Sequence, residues 1–281
     1  MDGIQFLKGH GTENDFVLLP DADGTQGPPS PELVRALCDR HAGIGADGVI
    51  RVVRTAATDE PAAVAARSVA EWFMDYRNSD GSLSEMCGNG VRVLGRYLVE
   101  REGVDPSHPL PVATRDGVKV LEFEGDLITV DMGTPAVLGT TKVGVAGLSW
   151  EAQHVDMGNP HAVAFVDALS SLSRAGSLLD EPDYDHHVYP EGVNVEFVER
   201  RGDRHVAMRV HERGSGETRS CGTGACAVMV AAAVADGLGR GTSYDVEVPG
   251  GTLRVHWTDD DRILMTGPAV LVAEGKWLAG R

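Results

Sequence analysis

Short runs of alternating apolar and polar residues, broken by glycine-rich turns, occupy most of the chain and predict strands outnumbering helices. Residues 4–7 and 16–19 read as strands around Gly9-His-Gly-Thr-Glu-Asn-Asp15, whose glycines and Asn14 suit a tight turn. A helix follows, with Ser30 as N-cap, Pro31 at its first position and Gly43 past its end. Leu33, Val34, Leu37, Cys38 and His41 fall on one face of it, which makes Cys38 a core residue. Gly43-Ile-Gly-Ala-Asp-Gly48 leads into a strand over 49–53. The alanine-rich stretch 55–68 has turn residues and no clear period, so it reads as a surface excursion. A strand over 71–76 precedes a glycine-rich loop, and a helix then runs from about 90 to 102 and stops at Gly103. Two strands joined by Glu124-Gly-Asp126 follow, with alternation clearest over 127–132.

The second half repeats this plan. Residues 158–166 echo the Asn14 turn and its strand, 192–198 echo the strand after Asp47, and 207–210 enter another glycine-rich loop. The helix predicted over 225–236 is apolar on every side, so other elements must wrap it, as a curled sheet would. A hairpin ends at Met265, and 269–278 return as a last strand.

The repeat is sharpest at two loops. Asn78-Ser-Asp-Gly-Ser-Leu-Ser-Glu-Met-Cys-Gly-Asn-Gly-Val-Arg92 and Glu212-Arg-Gly-Ser-Gly-Glu-Thr-Arg-Ser-Cys-Gly-Thr-Gly224 share a Cys-Gly-x-Gly core, with Cys87 and Cys221 134 residues apart. The same offset joins Asn78 to Glu212, Gly117 to Gly251 and Gly133 to Gly267. A register kept over that span implies two related lobes and no short-repeat solenoid. The predicted class is therefore α/β of the α+β kind, with two pseudo-symmetric lobes, each a mixed, curled sheet wrapped around a central helix. Residues 1–133 form the lobe carrying Cys87, 134–266 the lobe carrying Cys221, and 267–281 are placed with the first.

Composition narrows the function. A formal charge of −17 over 281 residues excludes nucleic acid and anionic lipid as partners. The longest apolar run, 225–235, is too short for a bilayer core of about 30 Å. The segment Met1-Asp-Gly-Ile-Gln-Phe lacks the basic start and apolar block of a secretory signal, so a soluble, cytoplasmic protein is expected. Four cysteines are too few for a disulfide framework, and their spacing is poor for zinc, so no metal is expected. Neither glycine-rich loop carries the Gly-Lys-Ser/Thr of a phosphate cradle.

A cysteine where a helix begins meets free N–H groups and the positive dipole end. These favour thiolate over thiol and can hold a substrate carboxylate. One such loop reads best as a tight turn in which cysteine merely packs, and Cys226 keeps that reading beside a remote Cys221–Cys226 redox pair. Two loops at equivalent places suggest more. Thiols from two lobes can address one carbon from opposite sides, one taking a proton and the other delivering one, which inverts a stereocentre without a cofactor. No pyridoxal lysine motif is evident.

Gly9-His-Gly-Thr-Glu-Asn-Asp-Phe, Asn78-Ser-Asp-Gly-Ser, Met86-Cys-Gly-Asn-Gly, Gly158-Asn-Pro-His, Gly192-Val-Asn, Glu212-Arg-Gly and Ser220-Cys-Gly-Thr-Gly together resemble the diaminopimelate epimerase family, in order and over nearly the whole chain. The resemblance implies cofactor-independent interconversion of LL- and meso-diaminopimelate for lysine and peptidoglycan precursors, by a homodimer of two-lobed chains. It implies that Cys87 and Cys221 are the proton-transfer pair and that His161 and Glu212 adjust their protonation. It places substrate contacts at Asn14, Asn78, Asn159, Asn194, Glu212 and Arg213, and carboxylate nests at Gly88-Asn89 and Gly222-Thr223. The chain departs from the commonest family pattern at Thr12-Glu13, at Gly48 and at His211. A proline or hydroxyproline racemase also pairs two cysteines but needs no grip on a second amino-acid head, and a two-lobed amino-acid-binding protein would capture ligand without turnover.

Overall fold

The computed structural model describes residues 3–166, 176 and 178–278, and the chain separates into two units, Met1–Val130 with Pro268–Arg281 and Asp131–Gly267. In the first unit the strands are β1 (Ile4–Gly11), β2 (Asn14–Pro20), β3 (Gly48–Arg54), β4 (Trp72–Asn78), β5 (Leu110–Thr114), β6 (Gly117–Glu124) and β7 (Leu127–Asp131). The C-terminal strand Val270–Trp277 pairs antiparallel with β1, and residues 279–281 lie outside the described ones. From that edge the sheet runs β1, β2, β3, β4, β5, β6, β7. β2–β3 and β4–β5 are parallel and every other neighbouring pair is antiparallel.

The second unit contains β8 (Ala136–Val145), β9 (Leu148–Asp156), β10 (Pro160–Phe165), the two-residue β11 (Asp183–Tyr184), β12 (Asn194–Gly202), β13 (His205–Glu212), the short β14 (Gly216–Thr218), β15 (Thr242–Val248), β16 (Gly251–Trp257) and β17 (Ile263–Pro268). Its ladder runs β8, β9, β10, β12, β13, β15, β16, β17, with parallel pairs at β10–β12 and β13–β15 only. Strand for strand, the order of senses matches that of the first unit. The first position is filled there by the C-terminal strand and here by β8, so equivalent places in the ladder come from opposite ends of the repeat.

Each unit is built around one helix. In the first, α1 (Pro31–Cys38) and α2 (Pro61–Ala66) are peripheral, and α3 (Gly88–Arg101) touches β1, β2, β3, β4 and the C-terminal strand. In the second, α4 (Gly222–Ala235) touches β9, β10, β12, β13, β15 and β16, and Ala225 through Ala233 are all buried. One helix can meet that many strands only if the sheet curls about it. An all-apolar helix needs such cover because each exposed methyl or methylene would cost about 0.8 kcal/mol of burial.

Three local readings change in the structure. Ser30 caps α1 by accepting from the Leu33 N–H, but the helix ends at Cys38 and leaves His41 exposed beyond it. The alanine-rich stretch contains a 3-10 turn and α2, whose Ala63 and Ala66 bury against Val53, Phe73 and Ala113. Strands β8 and β9, which the sequence pattern does not announce, form a long hairpin. Most of β8 is exposed on both faces, so nothing forces its side chains to alternate. No helix among the described residues is long and apolar enough to cross a membrane.

Candidate active site

The two glycine-rich loops adopt one local design. Cys87 is the N-cap of α3, extended at φ −141° and ψ 118°, and its Sγ accepts the Gly90 N–H at 3.4 Å. Cys221 is the N-cap of α4, at φ −118° and ψ 116°, and its Sγ accepts the Gly224 N–H at 3.3 Å. Sulfur thus occupies the place where a serine or aspartate oxygen ordinarily satisfies an orphan donor of the first turn. Space for a side chain is tight where each loop meets the core, more so at Gly224 than at Gly90. A Cβ on Gly224 would lie 2.8 Å from Glu196 Oε1 and 3.2 Å from Cys221 Sγ, and one on Gly90 would meet Met74 Cε at 3.0 Å.

In the first unit the thiol belongs to an asparagine-centred network. Cys87 Sγ donates to Asn14 Oδ1 at 3.7 Å, and Asn89 Nδ2 donates to the same oxygen at 3.2 Å. Asn14 Nδ2 donates to Asp47 Oδ2 at 2.7 Å, which fixes the amide's orientation. Arg92, fully buried on α3, donates to Asn89 Oδ1 at 2.9 Å. Behind Asp47 stand Arg40, at 2.6 Å, and Asp15, which pairs with Arg40 and Lys8. Burial and the negative charge of Asp15 push Asp47 upward. Burial pushes Asp15 upward as well, but hydrogen bonds from Arg40 and Lys8 outweigh it and hold that carboxyl down at about 2. Asn78 ends β4, where its Nδ2 donates to Ser82 Oγ at 3.0 Å, and it pairs with Gly48 across the ladder. A Cβ on Gly48 would lie 2.5 Å from the Tyr76 ring, so this position offers no side chain to a ligand. Thr12 and Glu13 form the two-residue turn before Asn14, both with positive φ, at 49° and 62°.

The second unit surrounds its thiol differently. Cys221 Sγ lies 3.6 Å from Thr223 Oγ1, to which Asn159 Nδ2 donates at 3.4 Å. Asn159 Oδ1 is 3.1 Å from His161 Nε2, and His161 Nδ1 is 2.6 Å from Glu196 Oε1. His161 and Glu196 are both 0% exposed. Asn194 accepts the Arg213 N–H at 3.0 Å and donates to the Pro160 carbonyl at 3.3 Å, so it ties the start of β12 to the end of β13. Glu212 accepts from Thr218 Oγ1, and Arg213 is exposed, with Nη1 on the Glu191 carbonyl at 3.2 Å. His211 is buried with Nδ1 on the Leu178 carbonyl at 2.8 Å, so its ring serves the wall behind Glu212.

A helix start was expected to favour thiolate at both cysteines. At Cys221 the opposite holds: burial, then the carboxylates of Glu212 and Glu196, push the thiol well above its ordinary range, and the contacts from Thr223 and Gly224 do not offset them. Cys38 is a packed thiol as expected, raised by burial to about 12. Cys226 is buried, and none of the four cysteines is in a disulfide. No cluster of three or more metal-ligating side chains occurs among the described residues.

The structure therefore gathers Asn14, Cys87, Gly88 and Asn89 in one unit and Asn159, His161, Cys221, Gly222 and Thr223 in the other, with Asn194, Glu212 and Arg213 adjoining the latter at the ends of β12 and β13. Sequence reasoning missed Asp47, Arg92 and Glu196. Glu196 had left a signal, as the one charge in the buried run Asn194-Val-Glu-Phe-Val198.

Comparison with known proteins bears on this arrangement. The family model described as "Diaminopimelate epimerase" matches residues 6–138 and 153–272. The diaminopimelate epimerase of Streptomyces coelicolor is 56% identical over 290 residues, covering 99% of this chain and 98% of its own. That of Corynebacterium glutamicum (strain R) is 46% identical, covering 97% and 98%. Among solved structures, a phenazine biosynthesis protein of the PhzF family from Bacillus anthracis superposes with a TM-score of 0.71 at 18% identity, covering 99% of this chain and all of its own. A hydroxyproline epimerase from Agrobacterium vitis, solved with trans-4-hydroxy-L-proline bound, gives 0.69 at 16% identity, covering 98% and 92%. The last two likenesses concern the fold alone.

Proposed function

The chain belongs to the diaminopimelate epimerase family, and from that membership we propose that Cys87 and Cys221 carry out its reaction as a two-base pair. The reaction is the interconversion of LL- and meso-diaminopimelate in lysine biosynthesis, which makes the enzyme an isomerase.

One thiolate removes the α-proton and becomes a thiol. The opposing thiol gives its proton to the other face of the same carbon and becomes a thiolate. No electron leaves the system, and the net change is inversion. The carbanionic intermediate needs its charge dispersed, and the N–H groups at Gly88-Asn89 and Gly222-Thr223 serve as donors to the substrate carboxylate. Asn14, Asn78, Asn159 and Asn194 supply neutral donors and acceptors for a diamino diacid, Glu212 an acceptor for an ammonium, and Arg213 a partner for the distal carboxylate. High burial keeps the Cys221 proton on sulfur near neutral pH, which supports Cys221 as a proton donor in the resting enzyme. His161 and Glu212 adjust that protonation. On the same footing the enzyme is a cytoplasmic homodimer that uses no cofactor and also supplies peptidoglycan precursors. Gel filtration checks the dimer.

The observation that carries this reading is the paired design itself: two thiols, each capping the central helix of a unit with the same ladder and each accepting the N–H three residues on. Incubating the reduced protein with LL-diaminopimelate in deuterated water tests it. Deuterium should enter the α-position as the meso isomer accumulates, and substrate that keeps its α-proton would sink the proposal. Proline and hydroxyproline turnover in the same assay would favour the racemase reading instead.

A further inference from the structure

We propose that Glu196 is a positioning residue for Cys221: it shares one proton with His161, holds that ring with Nε2–H toward Asn159, and through Asn159 and Thr223 fixes the polar surroundings of the sulfur. The proposal rests on the reading above that Cys221 is a proton-transfer thiol.

Glu196 is the third residue of β12, at the centre of five consecutive buried residues. A carboxyl group in such a place is costly unless its charge is matched. Oε1 meets His161 Nδ1 at 2.6 Å, while Oε2 has no hydrogen-bond partner among the described residues, so the histidine is the side chain that answers the carboxyl there. At that separation a proton must lie between nitrogen and oxygen. The other ring nitrogen fixes the count. Nε2 faces Asn159 Oδ1 at 3.1 Å, an oxygen that can only accept, because Asn159 Nδ2 is turned to Thr223. Nε2 therefore carries a hydrogen. The pair is then either imidazolium with carboxylate or neutral ring with carboxylic acid. Both forms are neutral overall, as a fully buried pair requires, and both present the same N–H to Asn159. Burial pushes Glu196 upward, consistent with a shared proton.

The first unit supplies the control. His161 pairs with Asn194 on the parallel β10–β12 ladder, as Phe16 pairs with Gly48 on β2–β3. Two residues further on, Glu196 corresponds to Ile50. The floor beneath the helix start agrees: a Cβ on Gly90 would touch Met74, Ile50 and Phe16, whereas one on Gly224 would strike Glu196. The same fold thus packs this place with hydrocarbon in one copy and with an acid and an imidazole in the other. Packing alone does not ask for the polar pair, so its presence behind Cys221 reflects the chemistry of that thiol.

The test measures kcat and KM for wild type, E196Q, E196I, H161F and the double variant H161F/E196I, which recreates the Phe16–Ile50 pair, and the His161 side-chain 15N resonances for wild type, E196Q and E196I. For E196I, kcat should fall by about 10-fold or more with KM near wild type, as for other lost supporting hydrogen bonds, and the protonated-Nε2 signature should be lost. E196Q, whose amide can still donate to Nδ1, should keep that signature and recover most of kcat. Because Glu196 acts through His161, the double variant should match H161F alone. The proposal is overturned by wild-type kcat in E196I, by losses that multiply in the double variant, or by an E196Q as impaired as E196I. Should E196I not fold, E196Q and the double variant still decide it. An H161F enzyme with wild-type kcat would overturn the proposal while leaving the two-thiol reaction standing, whereas absence of α-exchange in wild type would remove the reaction itself.

Discussion

Asn14 donates its side-chain amide to Asp47 across 2.7 Å, and this bond turns its carbonyl oxygen toward both Cys87 and Asn89. Asp47→Ala should release the amide to rotate. Losing one hydrogen bond to a charged group, worth about 1.5–3 kcal/mol, should lower kcat/KM by at least tenfold. In an Asn14→Ala background the same change should cost little, since the group it orients is gone. Steady-state kinetics of the double-mutant cycle checks both.

Cys87→Ala and Cys221→Ala should each lower epimerisation by about 100-fold to 10,000-fold, the range for a lost acid or base in proton transfer. The circular dichroism of both variants should remain that of the wild type, because sulfur is a weak acceptor for the helix N–H that it caps. Chiral chromatography of the products, with near-native rates in either variant, would show that one thiol suffices.

Asp15 has its carboxyl lowered from 3.8 to about 2 in the folded state, where hydrogen bonds from Arg40 and Lys8 outweigh burial. A depressed folded value means that this ionisation stabilises the fold above 3.8 and that the contribution fades as pH falls through about 2. Asp15→Asn should therefore lower stability at neutral pH and flatten its decline between those two values. Urea unfolding at a series of acid pH values measures the slope. An unchanged slope would place the dependence elsewhere.

The helix-start glycines should differ in what they tolerate. Alanine at 90 would press on flexible side-chain ends, Met74 Cε at 3.0 Å and Ile50 Cδ1 at 3.2 Å, and gain up to about 1 kcal/mol of helix propensity. Alanine at 224 would strike Glu196 Oε1 at 2.8 Å, an atom held by His161, with an overpacking cost of about 1–3 kcal/mol. Calorimetry should show Gly90→Ala near the wild-type melting temperature and Gly224→Ala several degrees below it.

Elements with local chemical punctuation were legible in the chain. Ser30-Pro31 announced α1, and the two Cys-Gly-x-Gly loops announced α3 and α4 to within two or three residues of their starts. What lacked punctuation or a buried face was not. The β8–β9 hairpin has too exposed a first strand to alternate, Pro111 obscures β5, and the period of 55–68 is too short to reveal α2. Among the candidate site residues, Asn14, Cys87 and Asn89 are joined by direct hydrogen bonds, whereas Asn78 turns to Ser82.

The sequence by itself determined the duplication, the two capping thiols and the family, because these depend on residue types at fixed spacing along the chain. Tertiary structure alone decided how the two thiols differ. Folding brings Glu196 and His161, 35 residues apart, to within 2.6 Å of each other beneath the start of α4, while the matching ladder of the first unit places Ile50 and Phe16 beneath the start of α3. Proton affinity in a buried site is set by neighbours across a sheet and by the water they exclude. Neither is written in the spacing of any one segment.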